Sequence, residues 1–377
     1  MEVFTTLAKG AKEAYCPPDD PDFERLATEG LAAYRRDRPA VIAFDTETTG
    51  LTFADRPFCV TVAWYTSDGI ENHYFELFKY DASEAVREIL ASTPTLIGHN
   101  VKFDLMKVFE AGLLSRDRIN GQILHDTEAS AHLDDEHRSK RLKDLAVSVL
   151  GYDDTITVEL KTKPGEFKEV SREKHELDEV RRKLKLTLDD GFEPIPRGVL
   201  VPYALKDAEF TLELHARLFP RIERYPDLLD LYHQELELTR VLIDMELAGM
   251  AVDGAYVEEK VKEYTKRVVK HEIGIEQIVG RPVGKDTKGG EFNPQSNPQI
   301  RDYFEAAGFP REKYDEENLK TIEHPLAKAL LELRGDAKLL NTYFVPLRDE
   351  PVDGILHPSF RQHGTVTGRM SSGAAQG

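Results

Sequence analysis

The chain is 377 residues long, 40% hydrophobic and formally −18 at pH 7, with a negative mean hydropathy; this is too much sequence for one typical core and argues for two or three domains of a globular protein. The acidic balance excludes a protein that coats nucleic acid non-specifically, but leaves room for a nucleic-acid enzyme with local basic patches and a carboxylate-rich metal site. No apolar run reaches membrane-span length, MEVFTTLAKGAKEAY carries no signal-peptide core, and Cys16 and Cys59 join no Cys/His cluster of zinc spacing, so a reduced, cytoplasmic protein is expected.

In chain order, 22–40 reads as a short amphipathic helix and VIAFDTE (41–47) as a buried strand. PFCVTVAWYT (57–66) and IENHYFELF (70–78), split by the turn signal SDG, read as a hairpin beside it. TLIGHN (95–100) predicts a short strand, followed by a helix over 101–112 that Gly112 ends, and ILHDT (123–127) a fifth strand. Strands mixed with helices predict an α/β sheet domain over 1–222. Within it, 152–200 is highly charged and reads as an exposed, partly helical insertion, solvated surface being preferred to a basic DNA face. From 223 to about 350 the pattern is helical: a long helix stopped by Gly249, a helix with Val257, Val261, Tyr264 and Val268 on one face, a loop with a capping box of Ser296 and Gln299, and a helix over 324–347. An extended tail, 351–377, follows.

Four acids stand where apolar residues belong. Asp45 and Glu47 end the first strand on one face, because strand side chains alternate. Asp104 lies in an apolar helix start, and Asp207 shares a helical stripe with Tyr203, Phe210, Leu214 and Leu218. Isolated carboxylates of this kind repel and resist desolvation. Converging, they make an all-oxygen cage for hard divalent cations, Mg²⁺ or Mn²⁺, and two such ions about 4 Å apart clamp the attacking and leaving oxygens of a phosphodiester.

DTE at 45–47, NxxFD at 100–104 and YxxxD at 203–207, in this order, resemble the three motifs of the DEDD 3′→5′ exonucleases, tyrosine subtype. The resemblance implies a ribonuclease-H-like fold in which Asp45, Glu47, Asp104 and Asp207 hold two metals and Tyr203 orients the attacking water. Leu51, Asn100, Lys102 and Phe103 resemble residues that hold an unpaired 3′ end, and Arg138, or Arg141 in a shifted register, resembles a phosphate-binding arginine. LTRVLIDMELAGMAVD, FNPQSNPQIRDYF and the 324–347 helix are similar to the thumb of family A (polymerase-I-like) DNA polymerases of bacterial or phage type. HPSFRQHGTVTGRMSS is similar to the first motif of their palm. The resemblance implies a mostly α-helical thumb in which Arg334, Lys338 and Thr342, near Asn341, meet the backbone of a primer–template duplex, with Arg369 near the primer end.

The expectation is therefore a metal-dependent proofreading 3′→5′ exonuclease acting on DNA. Since the palm aspartates and finger helix of the family do not follow Arg369, this chain alone is expected not to polymerise. The alternative reading is a DNA-binding and exonuclease subunit of a split polymerase, completed by a separate palm–fingers chain. An inert remnant is disfavoured, because every motif residue is intact.

Overall fold

The computed structural model describes residues 20–159, 165, 167–187, 190–285 and 290–373; Cys16 and parts of the charged 152–200 stretch lie outside them. Helix α1 (Phe23–Asp37) starts where the Asp22 carboxylate accepts from the Arg25 N–H and ends at Arg38 in the left-handed region. Then come β1 (Val41–Thr48), β2 (Pro57–Thr66), β3 (Gly69–Glu76), α2 (Ser83–Ser92), β4 (Thr95–Gly98), α3 (Val101–Glu110), α4 (Arg116–Gly121), β5 (Ile123–Asp126) and α5 (Thr127–Asp134). The strands form one sheet in the order β3-β2-β1-β4-β5. The β2–β3 hairpin is antiparallel and pairs with β1, which runs parallel to β4 and through it to β5. This is the mixed α/β sheet anticipated from the sequence.

The two sheet faces differ in residue size. Ile42, Phe44, Val60, Val62 and Trp64 fill one face, against α1, α2 and α3. The opposite face carries small residues, Ala43 and Ala63, beside Ile97, which let Ala208 and Leu212 pack closely. These two belong to α8 (Arg197–Glu223), which follows α6 (Leu142–Leu145), a π-helical turn over Ala146–Leu150, the hairpin of β6 (Thr155–Glu159) and β7 (Phe167–Ser171), and α7 (Arg172–Leu184). The alternation that puts Ala43 under α8 puts Asp45 and Glu47 there too.

The charged stretch is not merely solvated surface. In α7, Leu177 and Val180 are buried with Phe58, Tyr74, Leu200 and Tyr203, so the insertion braces the helix that carries Tyr203 and Asp207. α8 is also anchored at its start. The Arg197 guanidinium is fully buried and pairs with Glu76 through Nε (2.8 Å) and Nη2 (3.3 Å), while Tyr74 donates to the same carboxylate (2.7 Å).

The chain divides into two compact units, one running to Ala248 and resuming at Pro358, the other Gly249–His357. The division anticipated at 222/223 falls at the turn between α8 and α9 (Pro226–Ala248), and α9 packs with the sheet unit through Tyr232, Leu236 and Ile243. The second unit holds β8 (Met250–Ala251), α10 (Gly254–Val279), α11 (Asn297–Ala306), α12 (Glu316–Lys320), α13 (Pro325–Lys338), a π-helical segment Leu339–Phe344, α14 (Val345–Asp349) and β9 (Ile355–Leu356). Its core joins Ile275, Phe292, Ile300, Phe304, Leu326 and Leu330, and Val257 and Val261 pack on Leu340. The anticipated capping box does not form: Ser296 caps α11 without a side-chain bond, and Gln299 instead accepts from the Asn293 N–H at 3.0 Å. In the sheet unit, β10 (Ser359–Arg361) pairs with β11 (Ser371–Gly373). Among the described residues no helix is long and apolar enough to cross a membrane.

Candidate active site

β1 and α8 bring three of the anticipated acids together. Carboxylate oxygens of Asp45, Glu47 and Asp207 all lie within 4.8 Å of one another. Asp45 and Glu47 share a strand face, and Asp207 is one helical turn beyond Tyr203, so crossing α8 over β1 suffices to converge them. Asp104 stands outside this trio. Its Oδ1 accepts from the Thr46 N–H (2.9 Å) and Thr46 hydroxyl (2.7 Å), so the middle residue of DTE holds the fourth acid. The start of α3 is fixed in turn by Asp126, whose carboxylate accepts from the Asn100 and Val101 N–H groups at 3.0 Å. Asn100 itself adopts the left-handed region, φ 61°, a conformation its short amide side chain tolerates.

The electrostatics are those of crowded, desolvated acids. Burial pushes the Asp45 carboxyl well up, helped by the charges of Asp104, Asp207 and Glu47. Glu47 is raised by burial and then by Asp207. Asp104 is pushed up to about 7 by burial, against the pull of its Thr46 hydrogen bonds. Tyr203 is buried, its phenol raised by desolvation and by the charges of Asp207, Glu47 and Asp45, so it keeps its proton and can donate. A nearby cation answers these charges. The Lys143 ammonium pairs with Asp207 and lies 4.2 Å from the Tyr203 ring centroid.

The loop after β1 is tightly held. Lys107, buried in α3, donates to the carbonyls of Thr52, Phe53 and Asp55 at 2.9–3.1 Å, and the Asp55 carboxylate accepts from Thr49 and Thr52. Gly191, at φ 62°, closes on this loop; a Cβ there would overlap the Thr49 carbonyl oxygen. Leu51 is thereby presented to solvent, 43% exposed, while Phe103 is half-buried.

Other anticipated contacts are engaged elsewhere. Lys102 is buried, its ammonium on the Glu246 carboxylate and the Phe360 carbonyl oxygen. Arg138 pairs with Asp134 (2.8 Å) and Asp135 (3.6 Å), while Arg141 is exposed. In the second unit Arg334 donates to the Tyr314 carbonyl at 2.7 Å, and Lys338 and Thr342 are exposed. Arg369 is exposed, its carbonyl accepting from the Thr365 hydroxyl at 2.8 Å. Sequence reasoning passed over Lys143, Thr46 and Asp126. The place of Thr46 between the two acids is the signal that could have found it, whereas Lys143 sits in a charged run that gives no sign of burial.

The donor set fits hard cations. It offers carboxylate oxygens, it is largely shielded from water, and a divalent ion would relieve the mutual repulsion of its crowded carboxylates.

A family model for the 3′-5′ exonuclease of DNA polymerase A matches residues 19–223. The chain is 34% identical over 200 residues to DNA polymerase I of Chloroflexus aurantiacus, covering 48% of this chain and 20% of that protein. It is 27% identical over 360 residues to the DNA polymerase of Escherichia phage T5, covering 88% of this chain and 39% of that one. It thus spans well under half the length of these curated relatives. Among solved structures, the POL domain of Pol1 from M. smegmatis, in complex with DNA primer-template and dNTP, superposes with a TM-score of 0.58 at 19% identity, over 94% of this chain and 54% of that one. That likeness concerns the fold.

Proposed function

We propose, from the premise that this chain belongs to the 3′-5′ exonuclease family of DNA polymerase A, that Asp45, Glu47, Asp104 and Asp207 hold two divalent cations, Mg²⁺ or Mn²⁺, and that the chain removes nucleoside monophosphates one at a time from a DNA 3′ end. The observation that carries this reading is the convergence of Asp45, Glu47 and Asp207 within 4.8 Å beside the protonated Tyr203. When bound, the cations supply Lewis-acid polarisation of the phosphate and a more acidic water. The chain's own groups do the positioning. Tyr203 holds the water through its phenol, Thr46 fixes the Asp104 carboxylate, and the excluded solvent strengthens each of these contacts. Leu51 and Phe103 are apolar groups suited to stacking or wedging the terminal bases.

The relatives are named as DNA polymerases, which supports DNA as substrate and proofreading during synthesis as the setting. The exposed Lys338, Thr342 and Arg369 are suited to the phosphates of a primer–template duplex, with Arg334 a less accessible companion. Hydrolysis needs no separate palm–fingers chain, since every group named here is on this one. The cytoplasm of a bacterial or phage-infected cell is the compartment this reading implies.

The test is shortening of a 5′-labelled single-stranded oligonucleotide in Mg²⁺. The protein should produce a ladder of shorter strands and free mononucleotides, EDTA should stop it, and Asp45→Ala should fall to background while remaining folded. Near-normal cleavage by Asp45→Ala would overturn the assignment of the acidic cluster.

A further inference from the structure

Resting on that reading of the acidic cluster, we infer that Glu246 is a positioning residue of the same reaction: its one carboxylate ties the first turn of α3 to strand β10, so the setting of Asn100, Phe103 and Asp104 depends on that strand lying in place. The surface is supplied by α9. Glu235, Thr239 and Glu246 follow one another at intervals of four and seven residues, which puts them on one face of the helix, and the 360–362 backbone lies along it. At one end the Gln362 amide donates to the carbonyl and to the carboxylate of Glu235, both at 2.9 Å, and its oxygen accepts from the Thr239 hydroxyl at 2.9 Å. At the other end the Glu246 carboxylate accepts from the Phe360 N–H at 2.7 Å. The Lys102 ammonium closes the arrangement, donating to that carboxylate and to the Phe360 carbonyl oxygen. Side-chain exposure is only 8% for Lys102 and 5% for Glu246.

Each member of this arrangement needs the other two. Desolvation offsets much of the attraction in a buried ion pair, so the pair holds firmly only when its remaining donors and acceptors are satisfied. Phe360 satisfies both sides, its N–H facing the anion and its carbonyl the cation. With β10 displaced, water would take both places and the tie between α9 and α3 would slacken. Lys102 lies two residues before Asp104 and one before Phe103, in the turn that Asn100 opens, so that slack reaches the site residues directly. The same turn is also held by Asp126, on the Asn100 and Val101 N–H groups, and by Thr46, on the Asp104 carboxylate. The acids therefore stay grouped and the fold stays intact while the aim of α3 changes. That is a loss of rate rather than of structure, and a misplacement of about 1 Å can cost about 10²-fold. Since β10 lies within HPSFRQHGTVTGRMSS, the tie makes the exonuclease site answer to a stretch of chain outside its own three motifs.

The experiment compares Glu246→Gln, Lys102→Met and the double variant Lys102→Met/Glu246→Leu with the unaltered protein. It measures kcat and KM on a single-stranded oligonucleotide in Mg²⁺, and amide hydrogen exchange over 101–104 and 359–362 in the protein without DNA. Each single variant should lower kcat by about 10-fold with little change in KM, and the double variant should be no slower than the singles, because one tie is broken only once. Apolar residues of similar size can replace a buried ion pair without loss of stability, so the double variant separates the tie from the fold. It should melt near the parent while both segments exchange faster. A folded double variant with a freed strand and parental kcat would overturn the proposal. So would a Lys102→Met variant whose KM rises while exchange over 359–362 stays unchanged, the mark of a lysine that grips DNA. Gln362→Ala loosens the strand from its other end and leaves Lys102 and Glu246 in place, which keeps the test open should the double variant fold poorly: faster exchange at Phe360 should come with a lower kcat, and faster exchange at parental kcat would sink the idea. Asp45→Ala, measured alongside, tells the two failures apart. Activity there removes the acidic centre itself, whereas an inactive Asp45→Ala beside a fully active, strand-freed double variant removes only the role of Glu246.

Discussion

Tyr203 combines a packing role with a chemical one, and a single substitution separates them. Its ring packs edge-on to Phe192 at 5.8 Å and under Lys143, contacts that phenylalanine would keep. Its hydroxyl faces carboxylates that hold it protonated, so what phenylalanine loses is one hydrogen-bond donor. Tyr203→Phe should therefore keep its melting temperature and lower kcat by about 10²-fold, the low end for positioned proton-handling groups. An unchanged kcat in steady-state cleavage would take the phenol out of the mechanism. At this scale the sequence was informative where geometry is periodic. Asp45 and Glu47 had to share a face because strands alternate, and Asp207 had to follow Tyr203 by one turn of an α-helix. It was silent on Lys143, and it gave no sign that Lys102, expected at the 3′ end, pairs inside the fold. Each is a lysine among charged or polar neighbours, and only the approach of elements distant in sequence decides that one meets Asp207 and the other Glu246.

Among the elements, α8 carries most of the consequence, since its position sets the distance from Asp207 to Asp45 and Glu47. It is fixed at its start by the Arg197–Glu76 pair, along one side by Leu177 and Val180 of α7, and against the sheet by Ala208 and Leu212. Removing one member of a fully buried pair strands the other charge. Arg197→Met should thus lose about 3–5 kcal/mol of stability, seen as a lower denaturant midpoint, and adding Glu76→Gln should return part of it. A loss no larger than that of a surface substitution would mean that the pair does not anchor α8. The sheet, its hairpin and the helix after β4 were legible from alternation, turn residues and Gly112. The role of α7 was not: REKHELDEVRRKL offers Leu177 and Val180 as its main apolar side chains toward the core, too few for periodicity to signal a buried face. Nor did Arg197 announce itself, because arginine is almost never fully buried unless paired, and its partner lies on β3, far back in the chain. The affiliation of α9 was equally hidden, since an amphipathic helix does not state which neighbour its apolar side will meet.

For the molecule as a whole, the acidic centre links cation binding to folding, and the sign can be worked out. In the unfolded chain these carboxyls have pKa values of about 4. In the fold Asp104 is raised to about 7, and Asp45 and Glu47 are raised as well. Between those values the folded, cation-free protein binds more protons than the unfolded chain, so its stability falls as pH rises through that window. Other groups pull in both directions. His125 and His215, lowered by burial to about 3 and about 4, cost stability as pH falls below the ordinary histidine range, whereas His363, raised beside Glu235, acts in the opposite sense. A pH profile of the protein alone therefore mixes sites, and the informative quantity is the difference between profiles with and without divalent ions. Bound cations displace the protons and neutralise the carboxylates. The melting temperature in EDTA should accordingly drop further between pH 5 and pH 8 than it does in saturating Mg²⁺ or Mn²⁺, so the stabilisation conferred by metal grows as pH rises. Asp104→Asn should shrink that difference, since it removes one titrating ligand while leaving the histidines untouched. Parallel profiles with and without metal, in the parent protein, would show that cations do not bind at these carboxylates.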